Sequence, residues 1–370
     1  MIPGKATPQG TALYATKHPA AHAQHWRAAL GLSISSVGMG TYLGNADPVT
    51  DGKYAAATGK ALSLGFNVLD SAANYRYQRS ERNIGTGLKK AIDEGIVTRD
   101  QVVLCSKGGF IPGDWGPPTR EWFQETYVKS GILGAGDVVE PGHSMAPKYL
   151  KHEVDQSRKN LGVETIDVYH VHNPETQLPV VGPEDYYKRL TEAFRALEEC
   201  AAEGKIQWYG TATWHAYRVP AGTEAAVSLD KTVACARAAG GENHRFRVLQ
   251  LPFNLAMPEA RLSPTQERDG AEVSALEAAE ALGLTVFTSV PLMQAQLLGR
   301  FSKEFKAKFP GLDTDAQRCI QFARSTPGIA APLPGMKTLD HVVENAKVAV
   351  LPPLTPDEYA GVLSILRGQP

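Results

Sequence analysis

The stretch "GFNVLDSAANYRY", residues 65–77, predicts a short buried strand that stops at a carboxylate. Residues 66–69 are mostly apolar, as expected of a strand that is covered on both faces. Asp70 follows directly, and Tyr75 comes five residues later. A lone aspartate at a strand end is most often a turn former or a helix cap, so this stretch acquires a meaning only from the rest of the chain.

Seven more strand-like runs alternate with amphipathic helical patterns along the chain. The predicted strands are residues 36–41, 67–72, 102–108, 167–173, 206–212, 246–254, 284–290 and 329–335. The predicted helices include residues 52–63, 82–93, 146–160, 186–203, 271–282, 315–325 and 339–348. About eight β-α units in one chain predict a closed (β/α)8 TIM barrel of parallel strands rather than an open sheet.

Two irregular regions interrupt this alternation. Residues 1–30 are predicted to form an N-terminal extension, and residues 31–370 a single barrel domain. Residues 109–145 follow the third strand as a long inserted loop that is rich in glycine, proline and aromatic residues. Long loops of this kind are usually functional, and at the C-terminal face of a barrel this one is expected to roof the active site.

Composition and charge narrow the class of protein. The chain has 370 residues, of which 43% are hydrophobic and 21% charged, with a formal net charge of −1. This balance argues against nucleic acid or an anionic membrane as a partner. No run approaches the roughly 20 apolar residues of a membrane span. The N-terminus has no apolar core typical of a secretory signal, so we expect a cytoplasmic protein. The oligomeric state stays open.

No group of residues has the spacing of a metal site. The four cysteines are scattered along the chain, which favours reduced, mostly buried thiols. His143 is interpreted as part of the start of a helix rather than as a ligand.

Polar side chains stand at the ends of three successive predicted strands. Asp70, Lys107 and His172 occupy these ends, and Tyr75 lies on the loop after Asp70. Each has an ordinary structural explanation when taken singly. In a barrel, however, these strand ends converge on one face. A lysine ammonium lowers the pKa of a nearby phenol, which is about 10 when unperturbed. Such a phenol can protonate a carbonyl oxygen, while a neutral histidine donates to the same atom.

These residues carry a resemblance to a known family. The segments "LDSAANY" (69–75), "LCSKG" (104–108) and "DVYHVHNP" (167–174) resemble the signature segments of the aldo-keto reductases, and the similarity covers roughly residues 33–350. It implies hydride transfer between a nicotinamide and an aldehyde or ketone, or the corresponding alcohol, with a tyrosine as general acid and base. The implied catalytic residues are Asp70, Tyr75, Lys107 and His172.

The resemblance also implies a dinucleotide site on the barrel, with NADP(H) favoured and NAD(H) open. The implied cofactor-binding residues are Gly40, Thr41, Thr213, Gln250, Pro291, Leu292, Gln296, Arg300, Gly335, Lys337, His341, Glu344 and Asn345. The family pattern is altered at five of its positions, which hold Ala212, Thr213, Ser289, Gly335 and His341. The substrate is expected to be a small carbonyl or alcohol. Its pocket is predicted to contain Tyr42, Phe110, Trp115 and Trp214, with Trp122 also in the roof; ordinary packing under the long loop is the alternative role of these aromatic residues.

Two further functions are compatible with a barrel of this kind. A non-catalytic, cofactor-binding regulatory subunit of the same fold is one, because the nicotinamide contacts at Ala212 and Ser289 depart from the family pattern. The intact set of four catalytic residues argues against it. A barrel isomerase or hydrolase without a dinucleotide is the other.

Overall fold

The computed structural model describes residues 1–366, and its centre is a ring of eight parallel strands. The strands of the chain are β1 Trp26–Ala29, β2 Leu32–Ser35, β3 Met39–Gly40, β4 Val68–Asp70, β5 Val103–Gly108, β6 Val138–Val139, β7 His143–Ser144, β8 Ile166–His172, β9 Ile206–Ala212, β10 Phe246–Pro252, β11 Gln266–Arg268, β12 Ala271–Val273, β13 Thr285–Ser289 and β14 Ile329–Pro332. The main sheet has the order β3-β4-β5-β8-β9-β10-β13-β14.

Backbone hydrogen bonds join the two edges of this sheet. The amide of Gly38 donates to the carbonyl of Pro332, and the amide of Gly40 donates to the carbonyl of Pro334, both at an N···O distance of 2.9 Å. The predicted (β/α)8 barrel is therefore confirmed, and each of its eight strands overlaps one of the eight predicted runs.

Helices cover the outside of the ring. They are α1 Pro8–Thr16, α2 Pro48–Ser63, α3 Arg79–Asp93, α4 Arg120–Phe123, α5 Pro147–Leu161, α6 Leu178–Ala202, α7 Leu229–Gly240, α8 Glu259–Leu262, α9 Ala275–Ala281, α10 Lys303–Ala307, α11 Asp315–Ser325, α12 Leu339–Ala346 and α13 Pro356–Leu366. Local signals set several ends. The Asp47 side chain caps α2 by accepting from the amide of Thr50 at 2.7 Å, and Gly162 ends α5 with φ 69°. Within residues 1–366 no helix is long and apolar enough to cross a membrane.

The helix predicted for residues 271–282 is wrong in its first turn. Residues 266–268 and 271–273 pair as an antiparallel hairpin, with Asp269 (φ 51°) and Gly270 (φ 78°) in the turn. An Asp-Gly pair favours such tight hairpin turns. Helix α9 begins only at Ala275, because Ser274 caps it and Glu277 completes a capping box.

The N-terminal residues close the bottom of the barrel. Ala6 and two residues of β2, Leu32 and Ile34, join the apolar cluster formed by the inward-facing strand residues. Asp167, fully buried on β8, accepts from the amide of Ala6 at 2.8 Å and from Arg99 Nη2 at 2.8 Å. Whether residues 31–370 form one domain separate from the extension stays a prediction.

Residues 109–145 contain more structure than a loop. They include α4, a turn of π-helix at Gln124–Val128 and the β6–β7 hairpin. The Tyr127 hydroxyl donates to Glu153 Oε1 of α5 at 2.9 Å, and both side chains are buried. Burial raises the pKa of Glu153 to about 8. The insertion is thus fastened to the barrel through a carboxyl group that is neutral at pH 7.

This carboxyl group predicts a pH dependence of stability. The pKa of Glu153 in the folded protein, about 8, lies above the ordinary value of 4.5. Its contribution to the free energy of unfolding is therefore complete below pH 4.5 and is lost as the pH rises through 8. We expect Glu153→Gln to reduce the fall in the free energy of unfolding between pH 5 and 8, measured by urea titration. Glu199→Gln, at a side chain that is 49% exposed, is the control. Equal slopes for wild type and Glu153→Gln would contradict the assignment.

Candidate functional site

One large cavity opens at the C-terminal ends of the barrel strands, with a volume of about 700 Å³. Asp70 ends β4 and His172 ends β8, while Tyr75 reaches the cavity from the loop after β4. Lys107, the next-to-last residue of β5, is fully buried behind Asp70. The parallel register therefore brings together four side chains that are spread over about a hundred positions, as the strand-end pattern predicts.

Asp70 is bonded on both carboxylate oxygens. Its Oδ2 pairs with Lys107 Nζ at 2.7 Å, and its Oδ1 accepts from Gln250 Nε2 at 2.9 Å. Lys107 Nζ also donates to the carbonyl of Ser71 at 2.7 Å. Burial lowers the pKa of Lys107, but the charges and hydrogen bonds of Asp70 and Tyr75 together outweigh burial, so the net shift is upward. The lysine is a fixed cation.

Tyr75 lies directly against this cation, with Lys107 Nζ 4.7 Å from the centre of its ring. Burial raises the pKa of the Tyr75 phenol, and the ammonium of Lys107 opposes that rise without overcoming it. Lys107 thus acts in the expected direction on the pKa of Tyr75, but the net shift is upward. Desolvation is the stronger effect, and Tyr75 carries its proton at neutral pH.

His172 completes the polar group as a neutral ring. Burial lowers its pKa well below 6.5, and the charge of Lys107 adds to this. Its ring lies edge-on to Tyr75, with centroids 5.8 Å apart, and edge-on to Phe110 at 5.3 Å. Its Nδ1 is buried without a partner among the described residues. A neutral imidazole beside a phenol can donate one hydrogen bond to a substrate oxygen.

His143 of the insertion supports His172 from behind, which the sequence alone did not indicate. Gln177 Nε2 donates to His143 Nδ1 at 3.2 Å, so His143 Nε2 carries the proton and donates to the carbonyl of His172 at 2.7 Å. Burial lowers the pKa of His143 to about 4, which keeps this tautomer neutral. Gly109 passes between them, since a Cβ there would lie 2.7 Å from the His172 carbonyl oxygen.

The cavity continues as a groove from Tyr75 and His172 toward α12. Of the predicted cofactor-binding residues, the cavity is lined by Gly40, Thr41, Thr213, Gln250, Pro291, Leu292, Gly335, Lys337, His341, Glu344 and Asn345. Thr213 Oγ1 and Asn345 Oδ1 are buried and have no partner among the described residues. Two unpaired polar atoms on different parts of the groove wall fit a long, polar ligand such as a dinucleotide.

Four predicted residues lie outside the cavity wall. Trp115 stacks against the guanidinium groups of Arg79 and Arg82, at 4.6 and 4.3 Å, and so braces the start of α3 instead of roofing the cavity. Gln296 and Arg300 are exposed and do not line the groove, because the turns of residues 291–300 present Gln294, Ala295 and Leu298 to it. Trp122 packs on Tyr127, with ring centroids 5.4 Å apart.

Tyr42, Phe110 and Trp214 do line the cavity, as predicted for the substrate pocket. Tyr42 is 54% exposed and lies edge-on to Tyr75, with centroids 5.0 Å apart. Asn74 and Asn173 also line the cavity and were not predicted. Both directly adjoin a predicted catalytic residue in sequence, which is the signal that could have found them.

The chain is similar to proteins of one family. The model of the Aldo/keto reductase family matches residues 36–311. The NADPH-dependent aldose reductase GRE3 of Saccharomyces cerevisiae is 25% identical over 203 residues, which is 50% of each chain. The NADH-specific methylglyoxal reductase of Escherichia coli is 25% identical over 186 residues, or 49% of each chain. The chain thus spans about half the length of the curated relatives it matches.

Solved structures share the fold. An aldo/keto reductase from Klebsiella pneumoniae, in complex with NADP and acetate, superimposes with a TM-score of 0.61 and 20% identity. The match covers 92% of this chain and 94% of that one. The barrel and its connections are therefore those of a known structural class.

The buried pair of Asp70 and Lys107 predicts a non-additive loss of stability. Lys107→Met leaves the buried carboxylate of Asp70 without its counter-charge. We expect this variant to lower the free energy of unfolding by about 3–5 kcal/mol in urea titrations. The double variant Asp70→Leu/Lys107→Met removes both charges and should cost less than the sum of the two single variants. Lys89→Met, at an exposed pair with Asp93, should change stability by less than about 0.5 kcal/mol. Additive losses at Asp70 and Lys107 would contradict the pairing.

Proposed function

The chain belongs to the aldo/keto reductase family, and from that premise we propose that it is an NADP(H)-dependent oxidoreductase that reduces an aldehyde or ketone. The observation that carries the proposal is the ion pair of Asp70 and Lys107 against Tyr75, with Asp70 and Tyr75 in the same cavity wall as the neutral His172. This set holds one transferable proton beside one neutral donor, which carbonyl reduction requires.

Each residue of the set has a separate task. A reduced nicotinamide, when bound in the groove, supplies the hydride. Tyr75 gives its hydroxyl proton to the carbonyl oxygen, and the cation of Lys107 stabilises the phenolate that remains. Asp70 holds Lys107 in place. His172 donates a hydrogen bond to the same carbonyl oxygen and orients the substrate. Because burial raises the pKa of Tyr75, the resting protein carries the proton that reduction consumes.

Gln250 is suited to hold the nicotinamide end of the cofactor. Its Nε2 is engaged by Asp70, which leaves the carbonyl oxygen of the same amide to accept from a carboxamide. Thr213 adds an unpaired hydroxyl beside it. Gln250 thereby links cofactor binding to Asp70, and through Asp70 to Lys107.

The far end of the groove favours NADP(H). Lys337 is the single lysine or arginine among the described lining residues, and His341, Glu344 and Asn345 lie in the same part of the cavity wall. A lysine there offers a cation to the 2′-phosphate. The similarity to an NADP-bound structure supports the same choice, while the NADH-specific relative keeps NAD(H) as a second cofactor.

A non-catalytic regulatory subunit is not favoured. Such a protein has no need of a neutral phenol, a buried ammonium and an imidazole assembled at one point. An isomerase or hydrolase that binds no dinucleotide is not favoured either, because it would provide no partner for the unpaired atoms Thr213 Oγ1 and Asn345 Oδ1.

Tyr75→Phe removes the transferred proton and is expected to lower kcat by about 10²-fold or more. The measurement is NADPH oxidation with a panel of aldehydes, and the dissociation constant of NADPH, from protein fluorescence, should stay unchanged. Tyr77→Phe, two residues away and outside the cavity wall, is the matched control. Undiminished turnover in Tyr75→Phe would rule out the assigned proton donor.

Lys337→Ala tests the cofactor preference. Loss of one charge-assisted contact to a 2′-phosphate is expected to raise the KM for NADPH about tenfold or more, and to leave the KM for NADH nearly unchanged. Lys303→Ala, at an exposed lysine outside the cavity wall, should change neither value. An equal rise for both cofactors would mean that Lys337 does not contact the 2′-phosphate.

A further inference from the structure

The three residues after Tyr75 adopt a conformation that side chains usually avoid. Arg76, Tyr77 and Gln78 have φ of 51°, 57° and 67°, and none of them is glycine. L-residues enter this left-handed region at a cost, and normally one at a time. A run of three persists only where the surroundings hold it, and such runs concentrate at functional sites.

Arg76 is the residue that is held most strongly. Its side chain is 2% exposed, and its Nη2 pairs with Asp51 Oδ1 at 2.6 Å. Its Nε donates to the carbonyl of Asn45 at 2.8 Å. Its guanidinium lies 5.2 Å from the centre of the Tyr54 ring. A buried guanidinium with a carboxylate, a carbonyl and an aromatic face as partners has little freedom to move.

Asp51, in the first turn of α2, is the centre of this cluster. Besides Arg76, it pairs with Arg79 Nη1 at the start of α3 and accepts from Asn83 Nδ2 at 3.0 Å. The segment between Tyr75 and α3 is therefore fixed to α2 at both of its ends. The two carboxylate oxygens divide between the two arginines.

Arg76 also fixes the loop that carries Tyr42. That loop follows β3 and supplies the Asn45 carbonyl, while Tyr42 itself lies edge-on to Tyr75 at 5.0 Å. Arg76 thus holds in place the segments that carry Tyr75 and Tyr42, which form the cavity wall on this side.

We propose that Arg76 and Asp51 are positioning residues that hold the Tyr75 phenol against Lys107. This inference rests on the proposed function and adds to it two residues that touch neither substrate nor cofactor. Without the ion pair the three left-handed residues relax, and the Tyr75 ring leaves the position in which it can meet a carbonyl oxygen. Misplacement of a reacting group by about 1 Å can lower a rate by about 10²-fold.

Arg76→Gly tests the side-chain contacts of Arg76 without a backbone conformation that the new residue avoids. Glycine adopts φ 51° without strain, so this variant removes the contacts of Arg76 and keeps the conformation accessible, but it also frees the backbone. Asp51→Asn, which leaves the backbone of residues 76–78 unchanged, separates the two effects. We expect kcat to fall about tenfold or more, with the dissociation constant of NADPH unchanged within about twofold. Arg76→Lys keeps the charge but not the planar fork, and should fall between wild type and Arg76→Gly. Asp51→Asn should reproduce the Arg76→Gly effect, and Asp93→Asn, at an exposed carboxylate, should have none.

Hydrogen exchange of backbone amides, followed by mass spectrometry, reports whether the segment around Tyr75 keeps its backbone hydrogen bonds. The amides of Tyr75, Gln78 and Ser80 bond to carbonyls within residues 72–75, so faster exchange in residues 71–80 is expected in Arg76→Gly and Asp51→Asn, but not in β13. Unchanged kcat or unchanged exchange in both variants overturns the proposal. A fall in kcat that matches a weaker binding of NADPH overturns it as well. Lack of carbonyl reduction by the wild type instead overturns the proposed function, and with it this inference.

Discussion

The ion pair between Asp70 and Lys107 is the interaction on which the site depends. Both side chains are withdrawn from water, and two buried charges are tolerated only when every oxygen and proton finds a partner. Asp70 meets this condition with Lys107 on one oxygen and Gln250 on the other. These three residues lie on three strands of the barrel. Asp70 and Lys107 lie on the neighbouring strands β4 and β5, whereas Gln250 reaches Asp70 from β10, so the complete set forms only when the ring is closed. It couples Tyr75, the proposed proton donor, to the residue proposed to hold the nicotinamide.

Much of this was predictable from the sequence, because the barrel is encoded locally. Each strand is a short apolar run, and three of these runs end in a polar residue of the site. Asp70, Lys107 and His172 occupy the same kind of position on successive strands, so the parallel topology brings them together without further information. The groove residues from Gly335 to Asn345 follow from the resemblance of whole segments, and most of them line the cavity.

The parts that were not predicted depend on contacts between loops or on burial. Trp115 looked like a roof residue, but two arginines of α3 hold it away from the cavity. His143 looked like part of a helix start, and its role behind His172 appears only when the insertion folds back on β8. The pKa of Tyr75 is raised because desolvation outweighs the opposing charge of Lys107. The extent of desolvation depends on how the folded chain covers the side chain, so it could not be predicted from the sequence. Arg76, unremarkable in the sequence, proves to be buried and paired.

The central claim is that this arrangement delivers a proton to a carbonyl oxygen while hydride reaches the carbonyl carbon. Its most direct test is a turnover of an aldehyde with NADPH that carries deuterium at C4 of the nicotinamide, followed by mass spectrometry of the alcohol. The account predicts one deuterium on the former carbonyl carbon in the product, from one of the two C4-deuterated epimers of NADPH only. An alcohol formed without deuterium from either epimer, or binding of NADPH without any reduction across a broad panel of aldehydes and ketones, would contradict it.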